Sequence, residues 1–259
     1  MASDLLSFAQ RVAQGSIRIV DLTQTLTQEF PTIVLPPEFG QCAPFRIEEV
    51  SRYDERGPAW YWNNITLGEH TGTHFDAPIH WISGKDLANN AVDTIEPRNF
   101  IAPASVVDCS KESADPDFIL TIPFVEAWEK QHGRIAAGEW VLLRTDWSKK
   151  PFREYAGMGD DGAHTPGPAP EVVKWLVEER DVHGFGTETI GTDYGLAQHF
   201  NPPYPAHFYM HGKGRYGLQC LTNLDRLPPK GAVIVSAPLK IKQGSGSPLR
   251  VLALVEEGA

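Results

Sequence analysis

His70-Thr71-Gly72-Thr73-His74-Phe75-Asp76-Ala77-Pro78-Ile79-His80 places three imidazoles and a carboxylate within eleven residues. Such a density of nitrogen and oxygen donors points to a metal centre. Side chains alternate in direction along an extended chain, so His70, His74, Asp76 and His80 share one face. Phe75, Ala77, Ile79 and Trp81 then turn to the other. A helical alternative rests on the four-residue step from His70 to His74, the spacing that zinc proteases use. Gly72 weakens a helix there, Pro78 interrupts it, and no Glu follows His70 to serve as base. The stretch therefore reads as an extended, turning loop, in which Thr71, Gly72 and Thr73 provide room and short hydroxyl donors. An isolated histidine is usually an ordinary hydrogen-bonded residue, and His132, His164, His183 and His199 are read that way.

The flanking sequence predicts an α/β scaffold. Leu5, Phe8, Ala9 and Val12 recur at helical spacing before Gly15. Strands are expected at 17–20, 45–50, 61–67, 140–145, 232–236 and 250–255, and the apolar run 100–109 precedes a helix capped by Thr121. That helix presents Phe124, Ala127 and Trp128 on one face and ends at Gly133. A second long helix enters through Pro170 with Val172, Trp175 and Leu176 as its apolar stripe. Strands outnumber helices, so the expected fold class is α/β, a mixed sheet or partial barrel with flanking helices.

The chain has 259 residues, enough for one sizeable core without disulfides. Its net charge of −10, with no basic block, argues against nucleic acid or an anionic membrane as partner. Cys42, Cys109 and Cys220 are odd in number and far apart, which disfavours a disulfide framework or thiolate zinc site and suggests a reducing, cytoplasmic setting. The Met1-Ala2-Ser3-Asp4 start lacks the features of a secretion signal, and no segment is long enough to span a bilayer.

One loop rarely completes a coordination shell, so further ligands are expected downstream. The best candidate is His207 to Gln219, which opens with His207-Phe208-Tyr209-Met210-His211. On sequence alone it competes evenly with core packing.

Together, the pattern H-x-G-T-H-x-D-x-P-x-H, a His twelve residues before Gln219, Asn223-Leu224-Asp225 and Gly244-Ser245-Gly246-Ser247-Pro248-Leu249-Arg250 resemble the cyclase family of metal-dependent amide hydrolases. The resemblance runs from about Ile17 to Val255. It implies that His70, His74 and Asp76 bind metal, that His80 is catalytic, and that the chain forms one domain (1–259) of swivelling β/β/α fold in a homodimer or larger assembly. Formamidase-type members of the family carry Glu where this chain has Gln219, and that carboxylate helps to hold a second zinc. A neutral amide beside a dication and only one carboxylate leaves the site positive and poorly suited to a second ion. Isatin-hydrolase-type members resemble the chain at Gln219 and over Thr187-Glu188-Thr189-Ile190-Gly191-Thr192-Asp193. This implies Gln219 as a ligand to a single Mn²⁺ per subunit, with Zn²⁺ the alternative.

The implied reaction is hydrolytic opening of a cyclic amide on a small aromatic compound, isatin to isatinate being the leading case and arylformamide or lactone hydrolysis the alternative. His80 is the candidate general base, and His207 the candidate to protonate the leaving nitrogen or hold the oxyanion. Trp60, Trp62, Phe75 and Trp81 are candidate walls for a flat substrate, weighed against plain core roles. Two His and one carboxylate also form the facial triad of iron oxygenases, but there the third ligand usually comes from a distant strand. A non-enzymatic metal-binding module is disfavoured by the spare histidines, and a serine hydrolase by the lack of any G-x-S-x-G elbow.

Overall fold

The computed structural model describes residues 4–256 and Gly258. The chain runs α1 (Asp4–Ala13), β1 (Ile17–Asp21), β2 (Arg46–Asp54), β3 (Gly57–Thr66), β4 (His74–Asp76), β5 (Ile101–Asp108), β6 (Ile119–Leu120), α2 (Ile122–His132), β7 (Trp140–Arg144), α3 (Phe152–Tyr155), β8 (Gly167–Pro168), α4 (Pro170–Glu179), β9 (Gly184–Thr187), α5 (Pro205–Gly212), β10 (Tyr216–Gln219), β11 (Lys230–Val235), β12 (Gly246–Pro248) and β13 (Leu252–Glu256). Nine strands form one curled half-barrel sheet in the order β1-β13-β11-β5-β7-β9-β10-β4-β12. The central strands β5, β7, β9 and β10 run parallel. Their crossovers carry α2, α4 and α5, as parallel strands require.

β7 shows why the sequence takes this form. Trp140 and Leu142 enter a core with Val20, Phe75 and Leu218, whereas Val141 and Leu143 pack on the other face with Val125, Trp128, Val172 and Leu176. A strand buried on both faces reads as a continuous apolar run, and each fully buried aliphatic side chain contributes roughly 1.5–3 kcal/mol.

The expected strands and helices are present, with three corrections. β2 and β3 pair only with each other, as a mostly exposed hairpin outside the main sheet. Thr121 occupies the cap position of α2 without a side-chain cap bond, and the helix buries Val125 and Trp128 while Ala127 is exposed. Helix α1 forms as expected but buries no residue. Among the described residues, no helix is long and apolar enough to cross a membrane.

Candidate metal centre

The His70–His80 stretch is extended only at its centre. His74 and Asp76 share one face of β4, and Phe75 points away into the core, fully buried against Phe100 and Tyr216. Turns bring in the flanking histidines. Gly72 takes φ +66°, a left-handed conformation that strains a side-chain-bearing residue, and so returns the chain toward His70. Pro78–His80 forms a 3-10 turn that swings both His80 and Trp81 into the cavity that His70 and His74 line, where simple alternation would have separated them. β10 pairs with β4 so that Gln219 lies opposite His74, and α5 contributes His207 and His211 one turn apart.

These side chains converge on the fully buried carboxylate of Asp76. His70 Nδ1 lies 2.8 Å and His74 Nε2 3.4 Å from Oδ1, while His207 Nε2 lies 3.7 Å and His211 Nε2 4.0 Å from Oδ2. Gln219 donates its amide N–H to Oδ2, and a half-turn of the amide would present the isosteric oxygen instead. Burial alone would raise Asp76, but His80, His70 and His74 hold it well below the usual carboxylate range. Burial pushes His74 and His211 down to about 4, so both are neutral at pH 7. His80 is likewise pushed down, chiefly by burial.

The tautomers then follow. His74 Nδ1 sits 2.7 Å from the Gly72 carbonyl and His211 Nδ1 3.1 Å from that of Arg215, and a carbonyl only accepts. Both rings therefore carry their proton on Nδ1 and aim an Nε2 lone pair at an anion. Lone pairs facing a buried carboxylate repel each other unless a cation lies between them, so the donor set fits a divalent ion. The donor atoms of His70, His74 and Asp76 lie within 4.8 Å of one another, as do those of Asp76, His207 and His211.

His207 is tied differently. Its Nδ1 hydrogen-bonds to Asp193 Oδ2, and Asp193 Oδ1 accepts the Ala206 N–H at 2.6 Å, so one carboxylate fixes both the ring and the start of α5. Burial lowers His207, but the hydrogen bond and charge of Asp193, with the charge of Asp76, raise it overall. The His80 ring lies over that of His70, centroids 3.8 Å apart, and 5.5 Å from that of His207.

The site opens into a cavity of about 700 Å³ walled by Ile33, Leu35, Phe39, Trp81, Ile190 and Tyr204. Trp81 lies 4.8 Å from the His207 ring, so this one of the four expected aromatics is at the site. Phe75 is not, because strand alternation sends it to the core. Trp60 and Trp62 are not either: they are 49% and 57% exposed on the β2–β3 hairpin, where they line a separate shallow cavity. Sequence reasoning missed His211 and Asp193. The four-residue step from His207 to His211 was the available signal for the first.

Residues 20–194 match the family model described as a putative cyclase, and the chain belongs to the cyclase family. It is 48% identical to an isatin hydrolase of Roseibium aggregatum, over 98% of this chain and 97% of that protein. It is 29% identical to a kynurenine formamidase of Polaromonas naphthalenivorans over 73% of each chain. Isatin hydrolase A from Labrenzia aggregata, solved with benzyl benzoate, superposes with a TM-score of 0.97 at 60% identity, covering 98% of this chain and 100% of that one. An isatin hydrolase bound to the product analogue thioisatinate gives a TM-score of 0.96 at 45% identity, covering 99% of this chain and 100% of that one.

Proposed function

We propose that this chain hydrolyses the cyclic amide of a small aromatic substrate, isatin to isatinate, at one divalent ion per subunit held by His70, His74, Asp76 and Gln219. The observation that carries the reading is the set of neutral imidazoles aimed at the buried Asp76 carboxylate, at the end of a cavity with apolar walls. The similarity to isatin hydrolases over the whole chain supports the same substrate. Mn²⁺ suits a mixed nitrogen and oxygen shell with an amide oxygen, and Zn²⁺ is the alternative. A bound ion supplies Lewis acidity that polarises the amide carbonyl and lowers the pKa of water.

The protein's own groups handle the protons. His80, kept neutral by burial, takes a proton from the attacking water. His207, with its Nδ1 fixed by Asp193, directs Nε2 into the site and protonates the departing ring nitrogen. The carbonyl carbon gains the C–O bond and loses the C–N bond. The amine takes its proton from His207, the proton held by His80 returns through solvent to His207 to reset both rings, and the second water proton leaves as the new carboxylic acid ionises. Trp81, Ile190 and Tyr204 supply apolar wall around the ring.

We read residues 1–259 as one domain that works in the cytoplasm as a homodimer or larger homo-oligomer. The free cysteines suit a reducing compartment, and the exposed indoles of Trp60 and Trp62 suit burial against a second copy. The test is metal analysis of the purified protein with a panel of isatin, N-formylkynurenine, dienelactones and simple lactams. Isatin should be the best substrate. Preference for N-formylkynurenine would move the chain to the formamidase side of the family.

A further inference from the structure

Outside the ligand set, Glu69 and Ser245 form a chain of hydrogen bonds that ends on His70. Ser245 Oγ donates to Glu69 Oε2 at 2.6 Å, and the Ser245 backbone N–H points to the same oxygen at 3.2 Å. A hydroxyl has a single proton to give. With that proton committed to Glu69, Ser245 Oγ can only accept from His70 Nε2, which lies 2.9 Å away. The proton of His70 is thereby fixed on Nε2, and Nδ1, 2.8 Å from Asp76 Oδ1, is left to the ion.

The backbone holds Ser245 in this place. β12 pairs with β4 in a register that sets Gly246 opposite Asp76, and Ala77 N–H donates to the Ser245 carbonyl at 2.9 Å. The flanking Gly246 approaches so closely that a Cβ there would lie 2.6 Å from His70 Cε1 and 2.5 Å from the Phe75 carbonyl oxygen. The Gly244-Ser245-Gly246 loop thus packs against the imidazole, with Ser245 Oγ at Nε2 and Gly246 against the Cε1–Nδ1 edge. His74 and His211 are pinned the other way round, with Nδ1 on a carbonyl and Nε2 free.

We infer that Glu69 and Ser245 are positioning residues of the metal centre: they set His70 as an Nδ1 ligand, and the Glu69 charge, relayed through the serine hydroxyl, raises the donor strength of its ring. The inference rests on the metal-centre reading proposed above. Groups behind a ligating imidazole typically change metal affinity by about 10- to 100-fold.

The test is zinc affinity of the purified full chain by competition with a chromogenic chelator, for wild type, Glu69→Gln and Ser245→Ala, with thermal melting of each metal-free protein alongside. Both variants should bind zinc about 10- to 100-fold more weakly while their metal-free melting temperatures stay at the wild-type value. Affinities within about twofold of wild type would overturn the relay and leave the metal centre standing; a wild type that binds no zinc would overturn both. Long-range ¹H–¹⁵N correlation spectra of histidine-labelled, zinc-loaded wild type need no variant. They should show His70 protonated at Nε2, and a proton on Nδ1 would overturn the inference.

Discussion

Asp193→Asn is the substitution that tests the acid half of the reaction with least disturbance. The amide keeps one oxygen for the Ala206 N–H, so the start of α5 stays capped. Its NH₂ then meets His207 Nδ1–H, donor against donor, and the charge-assisted bond from His207 to Asp193 is lost. Such a bond contributes about 1.5–3 kcal/mol, which at about 1.4 kcal/mol per decade corresponds to a fall in kcat of roughly 10- to 150-fold. The pH profile should move as well. Asp193 raises His207 against the effect of burial, and an acid works in its protonated form, so the neutral-to-alkaline limb of kcat should shift to lower pH in the variant. Steady-state kinetics on isatin between about pH 5 and 9 measure both, with metal content and KM expected near wild type. An unchanged kcat with an unmoved limb would refute the assignment of His207 as acid and Asp193 as its support.

His74→Ala and Asp76→Ala should each release the ion on desalting and lose activity with it, and full metal content in either would sink the ligand assignment. Phe75→Ala tests the correction from substrate wall to core. A fully buried Phe costs about 3–5 kcal/mol when truncated, so melting should fall by roughly 6–20 °C, whereas an unchanged melt with a raised KM would restore the wall. The half-buried His164 is raised by Asp161 and then Asp117, so its contribution to stability is complete below its unfolded pKa of about 6.5 and lost as pH rises through the higher folded value. The difference in urea midpoint between wild type and His164→Ala should therefore shrink from about pH 6 to about pH 9, and a constant difference would contradict it.

The legible parts of the chain were those with a period. The apolar run at 140–145 and the stripe of Val172, Trp175 and Leu176 report their burial directly, because burial on both faces of a strand or along one face of a helix leaves a local pattern. Strands β9, β10 and β12 were not foreseen. They are four, four and three residues long and rich in glycine, too short for a period to register, and their pairing comes from partners far along the chain. At the site, the dense His70–His80 stretch announced itself, the His207–Gln219 stretch stood out downstream on its residues alone but evenly against core packing, and Gln219 as a ligand came through the family resemblance. Asp193, Glu69 and Ser245 acquire their roles only through contacts spanning 14 and 176 residues, which no local pattern records.

The central claim is that one divalent ion, held at Asp76 and its imidazoles, is what makes this chain a cyclic-amide hydrolase. The direct test is to strip the protein with a chelator, titrate Mn²⁺ back, and follow isatin opening and bound metal in the same samples. Hydrolysis should be absent at the start, rise in proportion to bound ion and level off at one per subunit. Turnover in the stripped protein, or a plateau reached only at two ions per subunit, would contradict it.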